Sequence, residues 1–171
     1  RPADREGNVN GRSVAGLGLV APFGLGRVAF DELLDRSDDV FTDGSLRGPL
    51  PASLKEALIP EPEKMRRLDV YSLLALTAAR LTLEDAGSPD ISGPGTALFL
   101  ASVRGPSRSV TEFFYSVPET GELLGAPGLF VQSLPNAAGA KLCMEWGIEG
   151  PSLAVAAPSG GMSAQLQSAE A

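Results

Sequence analysis

The chain has 171 residues, and its 14 basic against 21 acidic side chains give a formal net charge of −7. With 43% hydrophobic and 20% charged residues it has a globular composition, which excludes a disordered or collagen-like chain. A pI near 4.6 argues against sequence-independent nucleic-acid binding, and the absence of histidine excludes a His-based triad, His metal site or His proton shuttle supplied by this chain. The single cysteine, Cys143, excludes an internal disulfide framework and a Cys-rich zinc site and fits a cytoplasmic location. No apolar run approaches the ~20 residues of a membrane helix.

Segment Arg1–Gly11 is polar, lacks the apolar core of a signal peptide, and reads as a tail, leaving residues 12–171 as one domain. Ser13–Val20 is a short apolar run stopped by Ala21-Pro22-Phe23-Gly24, the pattern of a buried strand. Val28, Phe30, Leu33 and Leu34 come next at helical spacing, and residues 35–62 are loop-like with a short helix expected at Ser53–Leu58. The clearest helix is Asp69–Ala86, where Leu74, Ala78 and Leu81 adjoin a Tyr71, Ala75 stripe and Gly87 supplies the stop. Gly95–Ser102 predicts a second buried strand. Val110, Phe113, Phe114 and Val117 predict a helix ending at Pro118, and Pro135-Asn136 opens one that runs to Trp146 and stops at Gly147. Ser152–Ala157 predicts a third strand, succeeded by a Pro158-Ser159-Gly160-Gly161 turn and a helix-prone stretch from Met162 to Ala171. Continuous apolar strands alternating with helices argue for a parallel α/β sheet covered on both faces. A helix leaving a sheet usually leads back to one, so the architecture reads as unfinished.

Four features invite chemical readings. Gly16, Gly18 and Ala21 give a G-x-G-x-x-A pattern, but Pro22 stands at the would-be helix start and no acidic residue ends a second strand about 20 residues on. Glycines packed closely against a neighbour explain the pattern better. Ser159 sits where an elbow nucleophile would, yet Ala157 replaces the required first Gly and no His can activate the hydroxyl; a helix N-cap is the plainer account. Cys143, between Leu142 and Met144, reads as packing material. The acidic pairs Glu84-Asp85, Asp38-Asp39 and Glu61/Glu63 have no metal-ligand pattern and read as solvated faces or caps. Lys64, Arg66 and Arg67 form one basic cluster and Arg104 with Arg108 a second, either of which could meet an acidic partner.

Several segments, in order, resemble the N-terminal half of β-ketoacyl-acyl carrier protein synthases of the thiolase superfamily. They are Val14–Gly24 with Val28-Ala29-Phe30, Arg67-Leu68-Asp69 leading to Leu81–Gly87, Leu98–Ser102 with Arg104-Gly105-Pro106, Ser133–Ala138, and Trp146–Leu153. Ser-Leu-Pro-Asn-Ala and Gly-Ile-x-Gly-Pro-Ser-Leu are the specific ones. The resemblance implies half of a thiolase-like αβα layered fold, with a mixed, mostly parallel sheet truncated after the nucleophile helix. It also implies a Cys nucleophile at the turn after Gly-Pro-Ser-Leu, and there this sequence departs from the family. Without a gap the position falls on Ser159, and with one deletion on Pro158; neither is Cys. The two catalytic His of such enzymes belong to the C-terminal half.

The resemblance implies a catalytically degenerate subunit that partners a ketosynthase or an acyl carrier protein in fatty-acid or polyketide biosynthesis. Half of an active condensing or acyltransferase enzyme, completed by a separate His-bearing half, is the alternative, and a stand-alone structural or interaction protein is the second. No cofactor, nucleic acid or membrane span is expected. A carrier protein would dock at Lys64, Arg66 and Arg67. Self-association or a ketosynthase-type subunit would cover the open sheet near Ser152–Ala157, the strand at the family's dimer interface.

Overall fold

The computed structural model describes residues 13–35, 68–119 and 126–156. The helix expected at Ser53–Leu58, the acidic pairs at 38–39 and 61/63 and everything after Ala156 lie outside them. The described residues fall into two compact units, 13–35 with 77–89 and 68–76 with 90–119 and 126–156.

In the first unit, strands β1 (Val20–Ala21) and β2 (Gly24–Leu25) form an antiparallel hairpin around Pro22-Phe23, with Val20 opposite Leu25 and Ala21 opposite Gly24. Helix α1 (Gly26–Asp35) begins at once. Gly26 adopts φ +69°, a value that L side chains rarely reach, and its N–H donates to Leu19 O at 2.7 Å. Buried Ala29 packs so near Gly24 that a β-carbon there would lie 2.9 Å from its own. The expected strand over Ser13–Val20 is corrected: only Val20 of that run is in a ladder, and residues 13–19 run as irregular chain. The reason is in the glycines. β-carbons on Gly16 and Gly18 would lie 2.3 Å from the carbonyl oxygens of Thr82 and Ala78, so this segment packs backbone to backbone on helix α2 (Val70–Asp85). The close-packing account of Gly16 and Gly18 therefore holds.

Helix α2 matches the sequence expectation to within one residue at each end. Asp69 caps its start, and a Schellman motif closes it: Gly87 N–H donates to Glu84 O at 3.1 Å and Ser88 N–H to Leu83 O at 2.7 Å, with Gly87 at φ +82°. Its buried residues are Ser72 and Thr77, whereas the apolar stripe that predicted it is half-buried.

The second unit is built on a parallel pair, β3 (Leu98–Ser102) and β4 (Ser152–Ala156), in continuous register from Leu98↔Ser152 to Ser102↔Ala156. A parallel bridge between Gly93 and Ile148 and the Leu98 N–H to Pro151 O bond (2.8 Å) prolong the pairing toward its start. Before that bridge, the Asp90 carboxylate accepts the Ser92 N–H at 3.0 Å, which holds it below the ordinary carboxylate range. This small stabilisation is therefore present at neutral pH and fades as pH falls through the depressed value.

The described residues of the crossover from β3 to β4 form three helices, α3 (Ser107–Glu119), α4 (Pro127–Ser133) and α5 (Ala137–Trp146). Helix α3 begins three residues before the Val110 that announces it and includes Pro118. Phe113 joins α3 to α4, its ring centroid 5.5 Å from that of Phe130. Helix α5 lies on the strand pair through buried Ala138, Gly139 and Leu142, and a β-carbon on Gly139 would sit 3.5 Å from Ser152 Oγ. Gly147, at φ +63°, ends it as expected. No described helix is long and apolar enough to cross a membrane.

Gly18→Ala should lower stability by about 3 kcal/mol or more, because the clash is with backbone. Gly95→Ala, whose added carbon meets nothing within 4 Å, should change it by less than about 0.5 kcal/mol. Paired denaturant unfolding curves check both values.

Candidate functional site

In open parallel sheets, ligands bind outside the carboxyl ends of the strands. Here β3 and β4 end level, at Ser102 and Ala156. The loop after β3 folds back over that edge: Ser102 Oγ accepts the Gly105 N–H at 3.0 Å, and Gly105 takes φ +55°. A β-carbon on Gly105 would lie 3.8 Å from Ala156 Cβ, so the loop passes directly across the end of β4. Pro106 is buried and its carbonyl accepts the Val110 N–H, the first hydrogen bond of α3. Pro158 and Ser159, the alternative nucleophile positions, come two and three residues after this edge and lie outside the described residues.

Beside the loop, the first turns of α2 and α3 and Gln132 of α4 bound a cleft of about 520 Å³. One wall carries a polar network that sequence reasoning misses. Asp69 Oδ2 accepts the N–H groups of Tyr71 (3.2 Å) and Ser72 (3.4 Å), the geometry of a helix N-cap. Ser72 Oγ donates to Asp69 Oδ1, and Lys141 Nζ of α5 donates to Ser72 Oγ at 3.3 Å and lies 3.7 Å from Asp69 Oδ1. The Asp69 side chain is only 7% exposed, so Lys141 neutralises a carboxylate that is largely removed from water. Also in the lining, Arg108 Nε donates to Glu112 at 2.7 Å, and that bond raises the guanidinium above its ordinary pKa.

Of the two basic clusters, Lys64, Arg66 and Arg67 lie outside the described residues. Arg104 is exposed on the loop after β3, and Arg108 is engaged by Glu112, so the second cluster offers one cation without a partner among the described residues. Cys143 is half-buried and free. Glu84 and Asp85 are both exposed, in line with the solvated-face reading, and Asp85 does more besides: its Oδ2 accepts the Leu17 N–H at 2.9 Å and lies 3.6 Å from Arg27 Nη1, tying residue 17 to the end of α2. The described residues contain no cluster of three or more His, Cys, Asp or Glu able to hold a metal ion.

Residues 50–169 match the family model for the N-terminal domain of β-ketoacyl synthase. The chain belongs to that family. Its fold is similar to the crystal structure of a β-ketoacyl synthase from Burkholderia phymatum STM815, at a TM-score of 0.61 and 19% sequence identity. The match covers 91% of this chain and 41% of that one, so the α/β unit with its parallel pair corresponds to part of a thiolase-like ketosynthase fold. A search of curated protein sequences finds no match.

Asp69→Ala should cost about 2 kcal/mol, combining a lost cap with a lysine left unpaired. In a double-mutant cycle with Lys141→Met, the two sites should couple by about 1–2 kcal/mol. Additive effects would show that the 3.7 Å approach contributes nothing to stability.

Proposed function

We propose that this chain is a catalytically silent β-ketoacyl synthase-like subunit. On this reading it acts in the cytoplasm as the partner of a ketosynthase or an acyl carrier protein in fatty-acid or polyketide assembly. The observation that carries it is one of residue identity within a ketosynthase-family sequence: the only cysteine is Cys143 on α5, and after Gly-Pro-Ser-Leu at 150–153 the chain offers Pro158 and Ser159 instead. Proline has no nucleophilic group. A serine hydroxyl is a far weaker nucleophile than a thiolate unless a base removes its proton, and the sequence holds no histidine to do so. What the fold retains is the scaffold on which such a turn is carried, a parallel pair ending at one edge.

The span of 41% of the ketosynthase structure favours one second reading, in which a His-bearing C-terminal half completes the enzyme. Incubated with acyl-loaded carrier protein and its malonyl form, the chain alone should yield no ketoacyl product by mass spectrometry; clear turnover would overturn the proposal. Product appearing only when a separate C-terminal half is added would establish the second reading.

A carrier protein is strongly acidic, and this chain's net charge of −7 repels it except near a basic cluster. Arg66→Glu with Arg67→Glu should therefore weaken carrier-protein binding at least fivefold at low salt and much less at high salt, where the Debye length falls to about 3 Å. Binding unchanged at both salt concentrations would move the docking surface elsewhere.

A further inference from the structure

The cleft between the first turns of α2 and α3 has a feature its protein neighbours leave unexplained. Ser109 is 3% exposed and lines the cleft, and its hydroxyl has no hydrogen-bond partner among the described residues. Buried polar groups without partners cost stability, and a bound ligand is one common resolution. Ser109 is also the third residue of α3. Because the helix's first hydrogen bond is Val110 N–H to Pro106 O, the N–H groups of Ser107, Arg108 and Ser109 have no acceptor within the helix. Three N–H donors without an acceptor among the described residues, the positive end of the helix dipole and a buried hydroxyl thus belong to residues that line the same cleft.

The charges around it limit what can bind. Two carboxylates line the cleft, Asp69 and Glu112, and each already has a cation, Lys141 at 3.7 Å and Arg108 at 2.7 Å. With those pairs formed, the helix end dominates the local field and favours a single negative charge, while a dianion would be repelled by both carboxylates. Leu68, Tyr71 and Leu74 supply apolar surface to the same lining. At about 520 Å³ the cleft has the size of a small-molecule site.

We infer that this cleft binds a small organic monocarboxylate, its oxyanion on the N–H groups and Ser109 hydroxyl of α3 and its apolar body against Leu68, Tyr71 and Leu74. This site is independent of the silent-subunit reading, since it uses neither the turn after β4 nor a partner.

Benzoate tests it, with benzamide as the neutral isostere and acetate as the head group alone, each titrated into the intact chain and monitored by heteronuclear NMR. Benzoate should saturate, and benzamide and acetate should each bind at least tenfold more weakly. Ser109→Ala should weaken benzoate about tenfold, as expected for loss of one hydrogen bond to a charged group. Ser109→Asp should abolish binding, because its own carboxylate would occupy the helix end, which favours a negative charge there. Failure of benzoate to saturate, or benzamide binding equally well, would overturn the inference on the unaltered chain. Acetate binding as tightly as benzoate would remove the apolar surface from the site, and an unchanged affinity in a folded Ser109→Ala variant would remove Ser109.

Discussion

Parallel pairing of β3 with β4 is the constraint on which the second unit depends. Two parallel strands cannot be joined by a tight turn; the chain must leave the end of one and return to the beginning of the other. Helices α3, α4 and α5 make that return, and the last of them has to lie close on the strands it connects. Small residues meet the need: Ala138 and Gly139 are buried beside Leu142 on the face of α5 that meets the pair. The register also fixes the geometry of the strand ends, because it brings Ser102 and Ala156 to the same level, with the loop after β3 passing across the end of β4. Any chemistry or docking at this edge inherits its alignment from the ladder.

Buried polar groups then decide how the helices are pinned. Ser72, Thr77 and Ser109 are hidden, while Phe114, Tyr115, Phe130 and Val131 of α3 and α4 are exposed. Hydrophobic burial alone would not choose a unique placement for helices whose apolar residues are so distributed. The Asp69–Ser72–Lys141 network is directional and joins the start of α2 to the middle of α5. Its worth lies less in net stability, since desolvation of the charges offsets much of their attraction, than in penalising arrangements that leave Asp69 unpaired.

Much of this is legible in the sequence where the signal is local. The ends of α2 and α5 can be read because Gly87 and Gly147 terminate helices through left-handed backbone, a property of those residues themselves. The parallel strands can be read as apolar runs. Helix α4 escapes such a reading because seven residues carry too little periodicity, although Pro127 at its first position is a usable signal. The apolar run over Ser13–Val20 misleads because its pattern cannot distinguish pairing with another strand from packing on a helix. At the candidate site, Asp69 is readable as a cap, but its link to Lys141 is not, since the two are brought together only by the fold. The orphan hydroxyl of Ser109 is likewise a property of packing, invisible in a run of Ser, Arg and Val.

The backbone-to-backbone contact at Gly16 and Gly18 has a genetic consequence. Most buried positions have a near-synonym among the amino acids, a side chain one methylene smaller or differently branched that costs little. Here the space taken by a β-carbon is already filled by the carbonyl oxygens of Thr82 and Ala78, and every residue other than glycine carries that atom. Each missense change in either codon therefore meets the same obstacle, whatever residue it encodes. In a saturation library these two positions should stand out as uniformly intolerant, and the deficit should be indifferent to the hydrophobicity, charge or size of the replacement.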